Sequence, residues 1–241
     1  MKRSIVNTLN ELNGRIMGHV AVMSYGYCQL CVKADASSIL GFEETWNGLP
    51  QKIEDLADVY VHTLKEDGDD TIIDLLPKEA NYLGLMAKGI FKVHPEIKQT
   101  IETYPDVREE DKDDPNAKFL RLTMPEVDKN RRDVLIQAID ALHEKCCLQL
   151  EAVKTKTKAK LVELGATPLP SSENDPKKRE EDPFAKFDEQ HAQYAQICEN
   201  LTNDKKKEVE DAYQHYLTQQ AHDGQDAEEN KSSVGQQLKM D

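Results

Sequence analysis

Apolar residues recur every three or four positions along three stretches of the chain. Ile5, Leu9, Leu12, Ile16, Val20, Met23, Tyr27, Leu30 and Ala34 form one stripe, with the period of about 3.6 residues that marks one face of a helix, here roughly 30 residues long. A second stripe runs Leu135, Ala138, Ile139, Leu142, Cys146, Leu150, Val153, Thr157, Leu161 and Leu164. A third is weaker: Phe187, His191, Tyr194, Cys198 and Leu201, then Val209, Ala212 and Tyr216, with Lys205 where an apolar residue is due. Long helices with one apolar face can cover those faces only against one another, so the pattern predicts a three-helix bundle.

Between the first two stripes the period shortens. Ile39–Trp46, Ala57–Leu64, Thr71–Leu76 and Ala117–Leu122 are rich in Ile, Val, Tyr and Thr and are bounded by turn pairs such as Asn47-Gly48 and Asp67-Gly68, so they read as strands. One helix is expected among them, near Ala80–Phe91 and resuming after Pro95 to Ile101. The predicted fold class is α+β: an elongated three-helix bundle (1–36 and 123–221) with a small α+β, β-sandwich-like domain (37–122) inserted between its first two helices. The chain then crosses between domains twice, with Ala36, Ser37, Ser38, Thr123 and Pro125 as hinge positions, and two short crossings can act as a hinge. The acidic stretch 104–116 reads as a solvated loop of the small domain, and 165–182, with three prolines, as a long connection between helices. The polar tail 222–241 reads as disordered.

Charge changes the picture in one respect. The 241 residues carry 31 Lys+Arg against 45 Asp+Glu, a formal net charge of -14, and the mean hydropathy is -0.70. That balance argues against a general nucleic-acid coat but leaves room for a local basic stripe, because binding depends on where the cations sit. No run approaches the roughly 18 to 20 apolar residues of a membrane span. The first helix opens with Lys2, Arg3 and Arg15 against one acid, a faint likeness to an organellar transit peptide. Five cysteines without a secretory signal favour free thiols in a reducing compartment.

Two basic features stand out against this acidic background. Asp128 is a helix-capping residue type, and Arg131 and Arg132 follow it in the first turn, where the helix dipole slightly disfavours cations. Surface pairing with Asp128 or Asp133 is one account of them, and contact with an anionic partner is another. In VKTKTKAK (153–160), Val153, Thr157 and Leu161 face the core, so Lys154 and Lys158 flank one side and Lys156 and Lys160 the other. Such lysines can serve as a solvated face or can present ammonium groups to phosphates.

No metal centre is expected. Cys28 and Cys31 have ligand spacing and Cys146-Cys147 could complete four thiols, but antiparallel helices meeting near Ala34 and Arg131 would separate the pairs by roughly 13 Å. The seven histidines lack a partnered nucleophile, and no phosphate-cradling glycine loop is present; the chain does not read as an enzyme, and no cofactor is expected. Trp46 reads as core of the small domain.

PEVDKNRRDVL (125–135) resembles the ribosome recycling factor family's proline, cap, double arginine and helix start, and LTND (201–204) followed by KKKEVEDAY resembles its Leu-Thr-Asp and lysine-rich third helix. ADASSIL (34–40) stands where that family has Gly-Arg-Ala-Ser-Pro-Ser-Leu, and LPQKIEDLADVYV (49–61) resembles its strand leading into the small domain. The resemblance covers about residues 3 to 220. It implies a stoichiometric translation factor whose bundle binds the large ribosomal subunit and its RNA, and whose small domain turns on the hinge when an elongation factor G-type GTPase splits the post-termination ribosome. Arg131, Arg132, Lys154, Lys156, Lys158 and Lys160 are then the RNA contacts. Asp35 stands where the family has arginine, and the family's RNA-facing arginines on helix two fall at Glu151, Lys154 and Thr155, so RNA binding is expected to be weaker or shifted to the neighbouring lysines. The setting implied is the mitochondrial matrix or another organelle, or the cytoplasm if bacterial, and the protein is expected to be a monomer. Two other functions fit the same pattern: a large-subunit assembly or occupancy factor that does not split ribosomes, and a helical interaction module with no RNA partner.

Overall fold

A computed structural model describes residues 2–39, 42–63, 66, 70–168 and 182–237, with side chains described as far as 221. The elements in order are α1 (Arg3–Cys28), β1 (Glu44–Trp46), β2 (Leu49–Gln51), α2 (Ile53–Leu56), β3 (Ala57–Val61), β4 (Ile72–Pro77), α3 (Tyr82–Val93), β5 (Lys98–Thr103), β6 (Lys118–Thr123), α4 (Lys129–Glu163) and α5 (Pro183–Gln237). Backbone contacts divide the chain into two compact units, Met1–Tyr27 with Asp133–Glu208, and Cys28–Arg132 with Val209–Asp241. The tail expected to be disordered from 222 continues α5 as far as Gln237, with 238–241 outside the described residues, and of the long connection 165–182 residues 169–181 lie outside them. No described helix is long and apolar enough to cross a membrane.

The first unit is the bundle that the three stripes demand. From α1 it buries Ile5, Leu9, Leu12, Ile16, Val20 and Met23, from α4 Leu135, Ile139, Cys146, Leu150, Val153, Thr157 and Leu161, and from α5 Phe187, His191, Cys198 and Thr202. Each fully buried Leu or Ile of this set contributes roughly 1.5–3 kcal/mol of transfer free energy. α1 runs antiparallel to α4: a Cβ on Gly26 would lie 3.0 Å from Leu142, while one on Gly165 would lie 4.0 Å from the Lys2 ammonium. α4 and α5 are also antiparallel, since Lys158 reaches Asp188 while Asp140 pairs with Lys206.

One polar node joins all three helices. The Thr202 hydroxyl donates to the Cys198 carbonyl at 2.7 Å, so its oxygen is left to accept from the Tyr27 hydroxyl 2.9 Å away. The Tyr27 oxygen also lies 3.4 Å from the Ile139 carbonyl. Burial pushes the Tyr27 phenol above its usual range, which keeps it a donor. Lys205, the break in the third stripe, is accommodated at the edge by a 2.8 Å pair with Glu208.

The second unit is built on a four-stranded antiparallel sheet, in the order β3-β4-β6-β5, with a separate β1-β2 hairpin. Asn47 and Gly48, with φ of 52° and 81°, form the two-residue turn that joins β1 and β2, a conformation these residue types adopt at low cost. Ile73, Leu75, Leu120 and Leu122 of the sheet pack in one core with Leu83, Met86 and Ile90 of α3. Across the outer positions, Arg121 grips Asp74 through two nitrogens at 2.8 and 2.7 Å and reaches Glu102 at 2.8 Å. Burial opposes ionisation of Asp74, but the hydrogen bonds from Arg121 and His62 outweigh it and hold the carboxyl below its usual range.

Several expected elements change. The first helix stops at Cys28 and not near Ala34, because Cys31 takes a left-handed backbone (φ 48°) and buries with Ala34 in the sheet core. For the same reason residues 28–36, and likewise 123–132, group with the sheet and not with the bundle. Residues 36–39 form a short 3-10 helix, and among the described residues of the expected first strand Glu44–Trp46 is extended. The expected helical continuation after Pro95 is strand β5, paired along β6 from Lys98↔Thr123 to Thr103↔Lys118. None of its side chains is fully buried, so this edge strand leaves no alternating apolar signal. Trp46 is half-buried, edge-on to Tyr82 at 5.8 Å.

Two glycines of α3 test this packing. A Cβ on Gly89 would fall 2.1 Å from the Phe42 ring and 2.8 Å from the Glu44 side chain, whereas nothing lies within 4 Å of one on Gly84. Gly89→Ala is expected to destabilise the protein by about 1–3 kcal/mol, and Gly84→Ala to stabilise it by about 0.5–1 kcal/mol, both measured by urea denaturation.

Candidate nucleic-acid interface

The start of α4 is capped as expected: the Asp128 carboxylate accepts from the Arg131 backbone N–H at 2.7 Å. The two arginines that follow are engaged within the second unit. Arg131 is partly buried and its Nη2 donates to the Cys31 carbonyl at 3.3 Å. Burial pulls its guanidinium below the usual arginine range, against the opposing charges of Glu96, Cys31 and Asp128. Arg132 donates from Nε to Glu210 at 2.6 Å and lies over the Tyr213 ring, 5.4 Å from its centre. The Arg132 pair holds Glu210 below the usual carboxylate range. Arg132 thus has a pairing partner on α5, 78 residues away.

The four lysines belong to the first unit and divide into two pairs. Lys154 and Lys156 are two residues apart on α4, so they point about 160° apart around the helix; the same holds for Lys158 and Lys160. Lys154 and Lys158 border α5, where Lys158 reaches Asp188 at 2.9 Å and Lys154 lies 3.6 Å from Glu151. Glu151 is also 3.5 Å from His191 of α5, an electrostatic approach without hydrogen-bond geometry. Lys156 and Lys160 lie on the side that meets α1. Lys160 pairs with Glu163 at 3.1 Å, with both side chains more than half exposed, and Lys156 is exposed with no ion pair among the described residues. Because α1 is antiparallel, its opening Lys2 lies near Gly165 at the end of α4, so Lys2, Arg3, Lys156 and Lys160 share one end of the bundle.

Residues expected as hinge positions sit within the second unit. Asp35, conspicuous in the sequence as an acid, caps the short 3-10 helix by accepting from the Ser37 N–H at 2.7 Å and the Ser37 hydroxyl at 2.6 Å. Ser38 is buried. Ala36 opens that helix, Thr123 ends β6, and Pro125 follows after Met124, whose N–H bonds the Thr71 carbonyl at 2.8 Å. LTND is explained in part by the bundle core, since Thr202 belongs to the Tyr27 node.

The cysteines separate by unit. Cys146 and Cys198 approach to 3.6 Å inside the bundle, and burial and the neighbouring thiol push Cys146 up to about 12. The four-thiol grouping weighed from the sequence is thus replaced by a different pairing. Cys31 instead meets His94 and Glu96 in the second unit.

The fold so defined is a three-helix bundle unit with an α+β unit built on an antiparallel sheet. No protein-family model matches the chain, and no curated protein matches it in sequence. Among solved structures it is similar to one described as the solution structure of the ribosome recycling factor, with a TM-score of 0.63 at 16% identity, over 88% of this chain and 100% of that one. At that identity the likeness shows a shared fold.

The Cys146 thiol generates a pH test. An unfolded cysteine loses its proton near pH 8.5, whereas folded Cys146 holds it up to about pH 12, so stability is full below pH 8.5 and falls as pH rises above it. The urea midpoint is expected to drop between pH 8 and 9.5, less steeply in Cys146→Ala. At pH 8 iodoacetamide should modify half-buried Cys28 before Cys146 or Cys198, as peptide mass mapping would record.

Proposed function

We propose that the protein is a ribosome recycling factor-like translation factor that binds the large ribosomal subunit and its RNA. With an elongation factor G-type GTPase and GTP it promotes disassembly of post-termination ribosomes, acting stoichiometrically and without catalysing a covalent reaction. The observation that carries this reading is the fold likeness, which takes in all of the recycling factor chain and both units of this one. The double arginine and LTND motifs add to it from the sequence. An organellar setting, the mitochondrial matrix, belongs to the same reading and rests on the expanded acidic loop 104–116, the long connection 165–182 and the polar tail.

The charge geometry favours some of the expected RNA contacts over others. Arg131 and Arg132 are committed to Cys31 and Glu210, and Lys158 to Asp188. Lys156, exposed, and Lys160, whose pair with Glu163 is itself exposed, form the more available set. Binding to large subunits is expected to weaken with salt, and Lys156→Glu with Lys160→Glu should lower the slope of log affinity against log salt by about 0.7–0.9 per lost phosphate contact. Lys154→Glu with Lys158→Glu should change it less. Cosedimentation over a salt series reads both, and equal effects, or none, would remove the site assignment.

A specific observation favours a second reading, a large-subunit assembly or occupancy factor on the same fold. Glu151 and Asp35 stand at positions the resemblance would make basic, and Asp35 is occupied as a cap. Light scattering of post-termination ribosomes with elongation factor G and GTP separates the two. A recycling factor lowers the scattering as subunits part, while an occupancy factor binds and leaves it unchanged.

A further inference from the structure

Three potential ligand atoms converge in the second unit, away from the lysines. Cys31 Sγ lies 3.4 Å from His94 Nδ1, Glu96 Oε1 lies 3.0 Å from the same nitrogen, and the three donor atoms all fall within 4.8 Å of one another. Cys31 is fully buried and His94 is 4% exposed, while the Glu96 side chain at the rim is 34% exposed. Two turns make this meeting possible. The left-handed backbone at Cys31 turns the chain after α1, and His94 ends α3 with its N–H on the Ile90 carbonyl at 2.7 Å.

The histidine tautomer is set by its other neighbour. Gln29 donates its amide N–H to the Ser37 carbonyl at 3.3 Å, which leaves its amide oxygen facing His94 Nε2 at 3.1 Å. In the neutral imidazole Nε2 then carries the proton and Nδ1 holds a lone pair. That lone pair points at a carboxylate oxygen 3.0 Å away, two acceptors in contact, so a proton or a cation must lie between them. A thiol sulfur beside the same nitrogen favours the cation. Bonds of about 2.3 Å to sulfur and 2.0–2.1 Å to nitrogen and oxygen around tetrahedral zinc place ligand atoms roughly 3.3–3.6 Å apart, against 3.4 Å for the sulfur–nitrogen pair and 3.0 Å for the nitrogen–oxygen pair here.

We propose that Cys31 Sγ, His94 Nδ1 and Glu96 form a binding site for a divalent zinc ion. The soft thiolate with imidazole and carboxylate is a zinc set and not a magnesium or calcium one. Gln29 is the outer residue that orients the histidine, the usual arrangement for a metal-bound imidazole. Thiolate and carboxylate together balance the ion's two charges, and binding sends the Cys31 proton to solvent. Three protein donors leave a fourth position for water. The ion would clip the segment after α1 to the α3–β5 turn, giving this segment a fixed anchor in the second unit.

Cobalt(II), titrated into the full-length, chelator-treated and reduced protein, is the probe. One equivalent is expected to produce a sulfur-to-cobalt charge-transfer band with the intense visible bands of a four-coordinate site, and zinc should abolish both by displacement. Cys31→Ser should remove the charge-transfer band, and Cys28→Ser should leave it. Glu96→Gln at the rim, where folding is least affected, should weaken zinc binding at least about 100-fold and Gln29→Ala about 10- to 100-fold, with circular dichroism confirming that each variant is folded. Absence of the band in the natural sequence, its persistence in Cys31→Ser, or unchanged zinc affinity in Glu96→Gln would overturn the site. Ribosome binding is a separate readout, so failure here leaves the translation-factor reading standing, and the converse holds too.

Discussion

Each bundle helix carries one apolar stripe that only the other two can cover, and much of the architecture follows from that dependence. The stripes are narrow: α4 turns Leu135, Ile139, Cys146, Leu150, Val153 and Leu161 inward while Val134, Leu148 and Val162 remain exposed. A helix with so little apolar surface gains its stability from packing and not from propensity. Close approach is therefore needed, as at Gly26 against Leu142, and the few polar groups in the core must be satisfied by one another. The Tyr27 hydroxyl, Thr202 and the Cys198 carbonyl meet that requirement and at the same time align residues from distant parts of the chain.

The second unit solves a different problem. Its sheet and α3 do not enclose a complete core alone; Cys31, Ala34, Ile39 and Phe42, which follow α1 in sequence, fill it. The same recruitment brings Cys31 to His94 and Arg131 to the Cys31 carbonyl. Charge is handled locally across this unit. Asp74 is matched by Arg121 and His62, Arg132 by Glu210 and Tyr213, and Asp35 by Ser37. The acidic total of the chain thus coexists with basic groups that are matched one by one within this unit.

Periodicity, capping and turn chemistry are local properties, and they were legible along the chain. They located the three helices, the Asp128 cap, the Asn47-Gly48 turn and three of the four strands of the main sheet. β5 escaped because an edge strand without a buried face has no alternation to read, and the end of α1 escaped because the left-handed turn at Cys31 has no glycine to announce it. The partition of the lysines into two opposed pairs was visible from helical geometry. Which pair is tied to Asp188 depended on how α5 docks.

Taken alone, the sequence determined the three long helices, which face of each is apolar, that a sheet-forming stretch lies between the first two of them, and that the chain is acidic with local basic runs. Each of these rests on interactions between residues a few positions apart. Only the tertiary structure decided that Arg132 faces Glu210, that Asp35 is a cap, and that Cys31 leaves Cys28 to join His94 and Glu96. Those pairings, other than the cap, join residues 63 or more positions apart, and burial of apolar surface, which has no directional preference, sets which distant side chains become neighbours.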